Sequence, residues 1–184
     1  MIKIVAGRDR YREPLLLSTN RPVAEGEQVH CDGGCAVDGY RCDFMRSAVI
    51  GNLSDAAERR YSVAVEALEV GLQNFQPGQP LSEAWRAADG VLTKDASETG
   101  PALTWGHGIG LDHWEPPQIA RPGTAEGDIL ARPGMVLCFE PSAGPETGYV
   151  DPAEGVFIVE DQLVITESGI DNLTTGMPHG LFRA

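Results

Sequence analysis

A chain of 184 residues, of which 42% are hydrophobic and 22% charged, is long enough for one domain with a buried core, so wholesale disorder is not expected. The formal net charge of −13 argues against nucleic acid or an anionic membrane as partner, because no basic block can release phosphate counterions. No apolar run reaches the roughly 18 residues of a membrane-spanning helix, and residues 1–10 carry charges where a signal peptide would be apolar. We therefore expect a cytoplasmic protein.

The first third of the chain is predicted to form strands and turns. Residues 27–37 and 40–49 flank an Asp-Gly turn signal at positions 38–39, which predicts a β-hairpin. The two arms would bring Asp32 and Asp43 close together on neighbouring strands. Because side chains alternate faces along a strand, these carboxylates share a face only if the hairpin register allows it.

The middle of the chain is predicted to be helical. Ser54 can cap a helix whose apolar stripe is Tyr61, Val65, Leu68, Leu72 and Phe75. Pro77-Gly78 ends this helix, and Ser82 can start a second one with Trp85, Ala88 and Leu92 on one side. We interpret both stripes as core faces.

From residue 100 onward, glycine and proline separate short β-rich runs. A glycine-rich loop is predicted at 106–110, turns at Pro116-Pro117 and Pro122-Gly123, and strands at 135–139, 156–160 and 162–166. The order of strands, two helices and strands predicts an α+β layer, with the helices on one face of a mostly antiparallel sheet.

The four cysteines are Cys31, Cys35, Cys42 and Cys138, and their spacing does not reproduce paired C-x-x-C motifs. Reduced, partly buried thiols are the simplest interpretation. A cysteine zinc site and a disulfide are the alternatives.

Five residues with metal-ligand chemistry lie in the β-rich segments: Asp32, Asp43, His107, Glu140 and Glu160. Each of them alone has an ordinary structural explanation, such as a turn aspartate or a structural histidine. Four carboxylates and one imidazole can together hold two divalent cations, provided that some carboxylates bridge. Such a pair of cations clamps a hydroxide that is a nucleophile at neutral pH.

The chain resembles the pita-bread metallopeptidase family in four segments, DGGCAVDGYRCDFMR (32–46), GHGIGLDHWEPP (106–117), PGMVLCFEP (133–141) and GVFIVEDQLVITESGIDNL (155–173). That family includes methionine aminopeptidase, prolidase, Xaa-Pro aminopeptidase and the metal-free creatinase branch. The resemblance runs from about Gly26 to Thr174, with the motifs in the family's order. It implies an α+β pita-bread fold, with residues 1–184 as a single catalytic domain.

The resemblance also implies roles for the five candidate ligands. They would form a dinuclear centre of manganese, cobalt, zinc or iron, with Asp43 and Glu160 as bridging carboxylates. Glu140 would also take the proton of the bridging water. Arg46 matches an arginine common in the family, and its ordinary structural explanation is a buried ion pair with a carboxylate of the site.

Two positions depart from the pattern of the family's peptidases. Leu15 and Trp114 stand where substrate-binding histidines usually lie, and they would form an apolar wall instead. His113 can substitute if its loop is locally shifted, although neighbouring side chains in an extended segment face opposite ways. Without these histidines, we expect altered rate and specificity, since they support the charge that develops on the substrate.

The start of the chain is a third departure. Relatives carry two helices before the first strand, whereas this chain begins at about that strand. We therefore expect a domain that is N-terminally truncated relative to the family. A missing N-terminal segment, or a second copy in a homodimer, would cover the sheet face that those helices otherwise bury.

Three functions stay open at this point. The first is a metal-dependent hydrolase acting on a small peptide or amide substrate, with proline-adjacent bonds as the family's most frequent targets. The second, favoured by Leu15 and Trp114, is a pita-bread enzyme with a small non-peptide substrate, as in a lyase or an amidinohydrolase-like enzyme. The third is an inactive fragment or binding module, favoured by the missing leading helices.

Overall fold

The computed structural model describes residues 2–6, 20–94, 104–144 and 155–184. Within these ranges the chain follows the predicted order of strands, two helices and strands. The helices are α1 (Asp55–Leu72) and α2 (Ser82–Leu92). The strands are β1 (Ile2–Ala6), β2 (Gln28–Gly33), β3 (Ala36–Val37), β4 (Tyr40–Arg41), β5 (Phe44–Val49), β6 (Thr104–Gly108), β7 (Glu115–Ala120), β8 (Val136–Phe139), β9 (Ser142–Ala143), β10 (Phe157–Ile158), β11 (Asp161–Ile165), β12 (Ile170–Asn172) and β13 (Phe182–Arg183).

The predicted hairpin is present in two parts. Strands β2 and β5 pair antiparallel with Asp32 opposite Met45, and the short β3–β4 ribbon extends beyond them. The ribbon turns at Asp38 and Gly39, whose φ angles of 52° and 90° are both positive, as the Asp-Gly signal predicts. Between the two parts, a Cβ on Gly34 would lie 1.7 Å from the Cys42 carbonyl oxygen, so only glycine fits there.

Both predicted helices are present. Ser54 is the N-cap of α1, and its side chain accepts a hydrogen bond from the Ala57 amide at 3.2 Å. Helix α2 begins at Ser82 as expected, but its N-cap is Leu81, which makes no side-chain cap. Phe75 lies beyond the end of α1, where it is buried and meets Phe139 edge-to-face with ring centroids 5.2 Å apart.

Two larger sheets and the short β9–β10 pair contain the remaining strands. One of the larger sheets has the strand order β1-β2-β5-β13 and the other β12-β11-β8-β6-β7, and a backbone bridge between Met45 and Glu160 joins them. The pairs are antiparallel except β5–β13. On β8, Leu137 and Phe139 belong to the hydrophobic core with both helices. Because side chains alternate along a strand, Cys138 points to the opposite face of β8.

The glycine-rich loop predicted at 106–110 is wrong for residues 106–108, which lie in strand β6, whereas Ile109 and Gly110 follow the strand. The glycines are needed for close packing between strands rather than for a loop. A Cβ on Gly106 would lie 2.1 Å from the Cys138 carbonyl oxygen, and one on Gly108 would lie 2.7 Å from the Pro116 carbonyl oxygen. The register of β6 against β7 also shifts next to His107, which marks a β-bulge.

The turn predicted at Pro116-Pro117 is also wrong, since both prolines lie in strand β7. Strand β7 lies at the edge of its sheet and pairs on one side only. A proline, which has no N–H, therefore costs fewer hydrogen bonds there than in a central strand. The turn at Pro122-Gly123 is confirmed, with a φ of 75° at Gly123. Among the described residues, neither helix combines the length and apolarity that a bilayer-crossing segment requires.

A buried ionic network supports the segment between β10 and β11. Arg46 Nη2 lies 2.7 Å from Asp161 Oδ1, and the two side chains are 4% and 0% exposed. The guanidinium also donates to the Glu160 carbonyl oxygen at 2.6 Å. Asn172 and His179 contact the other oxygen of Asp161, at 2.6 and 2.8 Å. The ion pair predicted for Arg46 therefore exists, but its partner is the neighbour of Glu160 rather than one of the five candidate ligands.

These contacts fix the charge states in the network. Burial by itself would raise the pKa of Asp161, but hydrogen bonds from His179, Asn172 and Arg46 outweigh it and hold that pKa well below its ordinary value. The hydrogen bond to Asp161 raises the pKa of His179. His30 is likewise structural, since it is buried and its Nδ1 lies 3.1 Å from the Ser47 hydroxyl.

Asp161→Asn is expected to lower the free energy of unfolding by about 3 to 5 kcal/mol, because it leaves the Arg46 cation buried without its counter-charge. Arg86→Ala is the matched control. It removes an exposed ion pair with Glu83 and should cost less than about 1 kcal/mol. Urea titrations followed by circular dichroism measure both values, and equal losses for the two variants would contradict this account.

Candidate metal centre

Four buried side chains bring potential ligand atoms together where the two sheets meet. One donor atom from each residue lies within 4.8 Å of the others, in a cluster formed by Asp43, His107, Cys138 and Glu160. Asp43 directly precedes β5 and Glu160 directly precedes β11, while His107 and Cys138 pair opposite each other on β6 and β8. The Met45–Glu160 bridge holds the two carboxylate-bearing segments side by side.

The two remaining candidate ligands lie beside this cluster. Glu140 Oε1 is 3.6 Å from His107 Nε2. Asp32 hydrogen-bonds to the carboxyl group of Asp43, and its charge also acts on Glu160. The observed hairpin register thus gives Asp32 and Asp43 a common face. Of the five residues singled out from the sequence, Asp43, His107 and Glu160 lie in the cluster itself, and Asp32 and Glu140 lie next to it.

The carboxyl groups in this centre destabilise each other's charged forms. Burial, followed by the charge and hydrogen bond of Asp32, raises the pKa of Asp43 to about 7. Burial and the charges of Glu140, Asp43 and Asp32 raise the pKa of Glu160 well above its ordinary value. Either protons or cations must therefore balance this group of acids.

The donor atoms fit a divalent cation. Asp43 Oδ1 and Glu160 Oε1 are both buried, and neither finds a hydrogen-bond partner within the described part of the chain. Buried polar atoms are nearly always satisfied, so two such orphaned oxygens in one cluster call for a ligand. Carboxylate oxygen with imidazole nitrogen is a donor set that suits manganese, cobalt, zinc and iron.

His107 is prepared to act as a neutral donor. Its Nδ1 donates to the Gly108 carbonyl oxygen at 2.9 Å, since a carbonyl can only accept. The Nε2 lone pair then faces the carboxylates. Burial lowers the pKa of His107, which favours the uncharged imidazole that a metal requires.

Cys138 is a member of the cluster that the ligand analysis of the sequence missed. Cys138 lies on β8, two positions before Glu140, which directly follows that strand. Because residues two apart in an extended segment share a face, this spacing could have indicated that Cys138 lies on the side of the ligands. Burial, then the charges of Glu160, Asp43 and Glu140, raise the pKa of the Cys138 thiol. The thiol is therefore protonated, and it contacts Glu160 through a hydrogen bond.

Trp114, which departs from the family pattern, and its neighbour His113, the candidate substitute for the missing histidine, both lie near the site. His113 Nε2 lies 3.1 Å from Asp43 Oδ2. The ring of Trp114 lies 5.0 Å from that of His107, and Trp114 is 55% exposed. Residues 110–114 form a bend rather than an extended segment, so neighbouring side chains are not forced to opposite faces. Leu15 lies outside the described residues.

The amino-acid sequence also matches a known protein family. Residues 2–167 match the metallopeptidase family M24, which puts the chain in the class of metallohydrolases. The chain belongs to the metallopeptidase family M24, and the resemblance predicted from its motifs is confirmed.

Two curated relatives are 30% identical to this chain. Methionine aminopeptidase 1 of Bacillus subtilis aligns over 84% of the chain and 66% of its own length. Xaa-Pro aminopeptidase of Escherichia coli aligns over 84% of the chain and 39% of its own length. The chain therefore spans between about two fifths and two thirds of these relatives.

The fold is shared with a solved X-Pro aminopeptidase from Thermotoga maritima. The TM-score is 0.83 at 24% identity, over 100% of this chain and 49% of the other. The predicted α+β pita-bread fold is confirmed by this likeness, which concerns the fold alone.

The free energy of unfolding of the cation-free protein is expected to fall as pH rises from about 3.8 toward about 7 and to level off above that. Folded Asp43 keeps its proton up to about pH 7, whereas the unfolded carboxyl releases it near its ordinary value of 3.8. Between these values the folded state binds more protons, so rising pH favours unfolding. Thermal unfolding of chelator-treated protein between about pH 5 and pH 8 measures the slope.

Asp43→Asn is the control for this prediction. The amide does not titrate, so the pH dependence should become weaker. A slope unchanged in this variant would show that Asp43 is not the titrating group.

Proposed function

We propose that this chain forms the catalytic part of a dinuclear metal-dependent hydrolase that cleaves a peptide or amide bond. The observation that supports the proposal most strongly is the pair of buried, unpartnered carboxylate oxygens on Asp43 and Glu160, which lie in one cluster with His107. A cluster with no role in binding would leave these atoms unsatisfied at a substantial cost in stability.

Each candidate ligand has a role in this proposal. Asp43 and Glu160 would hold the cations together with Asp32, His107 and Glu140. Two ions of manganese, cobalt, zinc or iron would supply a hydroxide nucleophile at neutral pH and polarise the scissile carbonyl. The number and identity of the ions are part of the proposal.

Glu140 is the general base in this scheme. The side chain of Glu140 is 25% exposed, whereas Glu160 as a whole residue is 1% exposed. Glu140 is therefore the carboxylate that water and substrate can reach more easily. It accepts the proton of the attacking water and passes it to the leaving amine. Its contact with His107 at 3.6 Å keeps it at the edge of the donor cluster.

His113 and Trp114 are the substrate-contacting residues. The imidazole of His113 is 38% exposed and reaches the centre beside Asp43. It can donate a hydrogen bond to the substrate carbonyl oxygen as negative charge develops there. Trp114 offers an apolar surface for the substrate side chain, and a contribution of Leu15 to this wall stays a prediction.

The substrate class is proposed from the relatives. Both named relatives are aminopeptidases, and one of them is named for Xaa-Pro bonds. We therefore propose a small peptide as substrate, with a bond next to proline as the first choice. A cytoplasmic location, a homodimer and a missing N-terminal segment that covers the sheet stay predictions.

A second candidate is a hydrolase or lyase with a small non-peptide substrate. The observation that favours it is the exposed Trp114, which stands where the family's peptidases usually carry a histidine. An inactive fragment is the third candidate, since the chain spans 66% or less of the named relatives.

The purified chain is expected to bind two Mn²⁺ ions and to hydrolyse Xaa-Pro dipeptides. Elemental analysis and isothermal titration measure the stoichiometry, and a dipeptide panel measures the activity. Asp43→Asn should abolish tight binding, whereas Glu66→Gln, an exposed change on α1, should not. Bound metal with hydrolysis of small amides alone would favour the second candidate, and no bound metal would contradict the proposal.

Glu140→Gln is expected to lower kcat by at least about 100-fold, because the isosteric amide cannot accept the proton. The thermal unfolding midpoint should change little, since the shape of the side chain is retained. Steady-state kinetics on the best dipeptide measure kcat, with Glu66→Gln as the control. Near-normal turnover in the Glu140 variant would exclude this residue as the base.

A further inference from the structure

Two thiols face each other at the base of the β3–β4 ribbon. The Sγ atoms of Cys35 and Cys42 are 3.4 Å apart, and the Cys42 amide donates to the Cys35 carbonyl oxygen at 3.0 Å. The ladder continues from the adjacent pair Ala36–Arg41, so the two cysteines lie opposite each other. This contact is separate from the donor cluster that includes Cys138.

The backbone geometry suits a disulfide. Opposed residues of an antiparallel ladder have Cα atoms about 4.5 to 5.5 Å apart. A disulfide needs a Cα separation of about 4.4 to 6.8 Å. Rotation of the two side chains can therefore form the bond without unfolding the ribbon. Cys35 is exposed and Cys42 partly so, which lets a small oxidant reach them.

We propose that Cys35 and Cys42 are a reversible redox-modification site that controls the neighbouring metal centre, with a peroxide as oxidant. The Cys35 sulfur attacks one peroxide oxygen, the O–O bond breaks, and a sulfenic acid and water form. The Cys42 sulfur then displaces the hydroxyl group, so that the S–S bond forms and a second water leaves. Two thiols are oxidised and one hydrogen peroxide is reduced. A dithiol reductant reverses the reaction by exchange.

Cys42 connects this pair to the centre through its chain neighbours. Asp43 follows it directly. On the other side, the Arg41 amide donates to the Gly110 carbonyl oxygen at 2.9 Å, and Arg41 Nε donates to the Leu111 carbonyl oxygen at 3.1 Å. Arg41 therefore holds the bend that carries His113.

Cys42 also has little room to move alone. Its carbonyl oxygen packs against Gly34, where even a Cβ would lie 1.7 Å away. Any backbone shift that accompanies closure of the 3.4 Å gap between the two sulfurs is therefore expected to be passed on to Asp43 and to the bend with His113. The same two cysteines line a cavity together with Asp43 and His113. Oxidation should thus weaken cation binding, a consequence that rests on the proposed function.

Peptide mapping by mass spectrometry tests the bond itself. After treatment of the reduced chain with hydrogen peroxide, we expect a Cys35–Cys42 linkage that dithiothreitol removes. Cys31→Ser, which changes an exposed cysteine outside the pair, should keep the linkage, and Cys35→Ser should lose it. In Cys42→Ser, a sulfenic-acid trap should label Cys35. Separate alkylation of Cys35 and Cys42 in the treated wild-type chain, or a linkage through Cys31, would overturn the proposal.

Competition with a chelator for Mn²⁺ tests the control of the centre. Oxidised wild-type chain should bind Mn²⁺ about tenfold more weakly than reduced chain, the scale seen when outer contacts of metal ligands are disturbed. In Cys35→Ser, peroxide treatment should leave the ratio near one. Equal affinities of the oxidised and reduced wild-type chain would overturn the control. Failure of the reduced chain to bind Mn²⁺ would contradict the proposed function instead, because the peptide map scores the disulfide without metal.

Discussion

The concentration of buried negative charge where the two sheets meet is the constraint on which the rest of the structure depends. The donor atoms of Asp43 and Glu160 lie within 4.8 Å of each other. At that separation two ionised carboxylates repel by about 3 to 4 kcal/mol even at an effective dielectric of 20. Asp32 and Glu140 add to this repulsion. The fold can keep these acids together only with protons or cations among them, as the raised pKa values of Asp43 and Glu160 indicate.

The fold positions these acids by giving each strand two different faces. Leu137 and Phe139 pack against the helices, whereas the residue between them, Cys138, belongs to the donor cluster. Gly71 of α1 lets the helix come close, since a Cβ there would lie 2.2 Å from the ring of Phe139. A core that is tightly packed on one face of β8 therefore sets the position of the polar face on the other.

A strong positive charge near the cluster, that of Arg46, is already paired with another acid. Arg46 is buried against Asp161, and its other contacts are backbone carbonyl oxygens, including that of Glu160. It therefore orients the segment that carries Glu160 without neutralising the carboxylates of the centre. His179 and Asn172 satisfy Asp161 from the C-terminal part of the chain. Arg46 thus leaves the acids of the cluster to be balanced by protons or by the proposed cations.

Local sequence signals predicted the parts of the fold that depend on neighbouring residues. The Ser54 cap, the Asp38-Gly39 turn and both helices followed from backbone preferences and apolar spacing. The errors at residues 106–108 and at Pro116-Pro117 have one cause. Glycine and proline were interpreted as signals of loops, whereas here they permit close strand packing and an edge position. Whether a glycine turns the chain or admits a neighbouring strand depends on what lies opposite it.

The sequence by itself determined which donors are present, the helices, the hairpin and the family. It left open whether His113 reaches the centre, which acid pairs with Arg46, and which thiols meet. Only the tertiary structure decided these points, since the answers depend on a bend at residues 110–114 and on contacts between segments far apart in the chain. The sequence states which chemical groups are present, but the distances between remote side chains depend on how the sheets and helices pack.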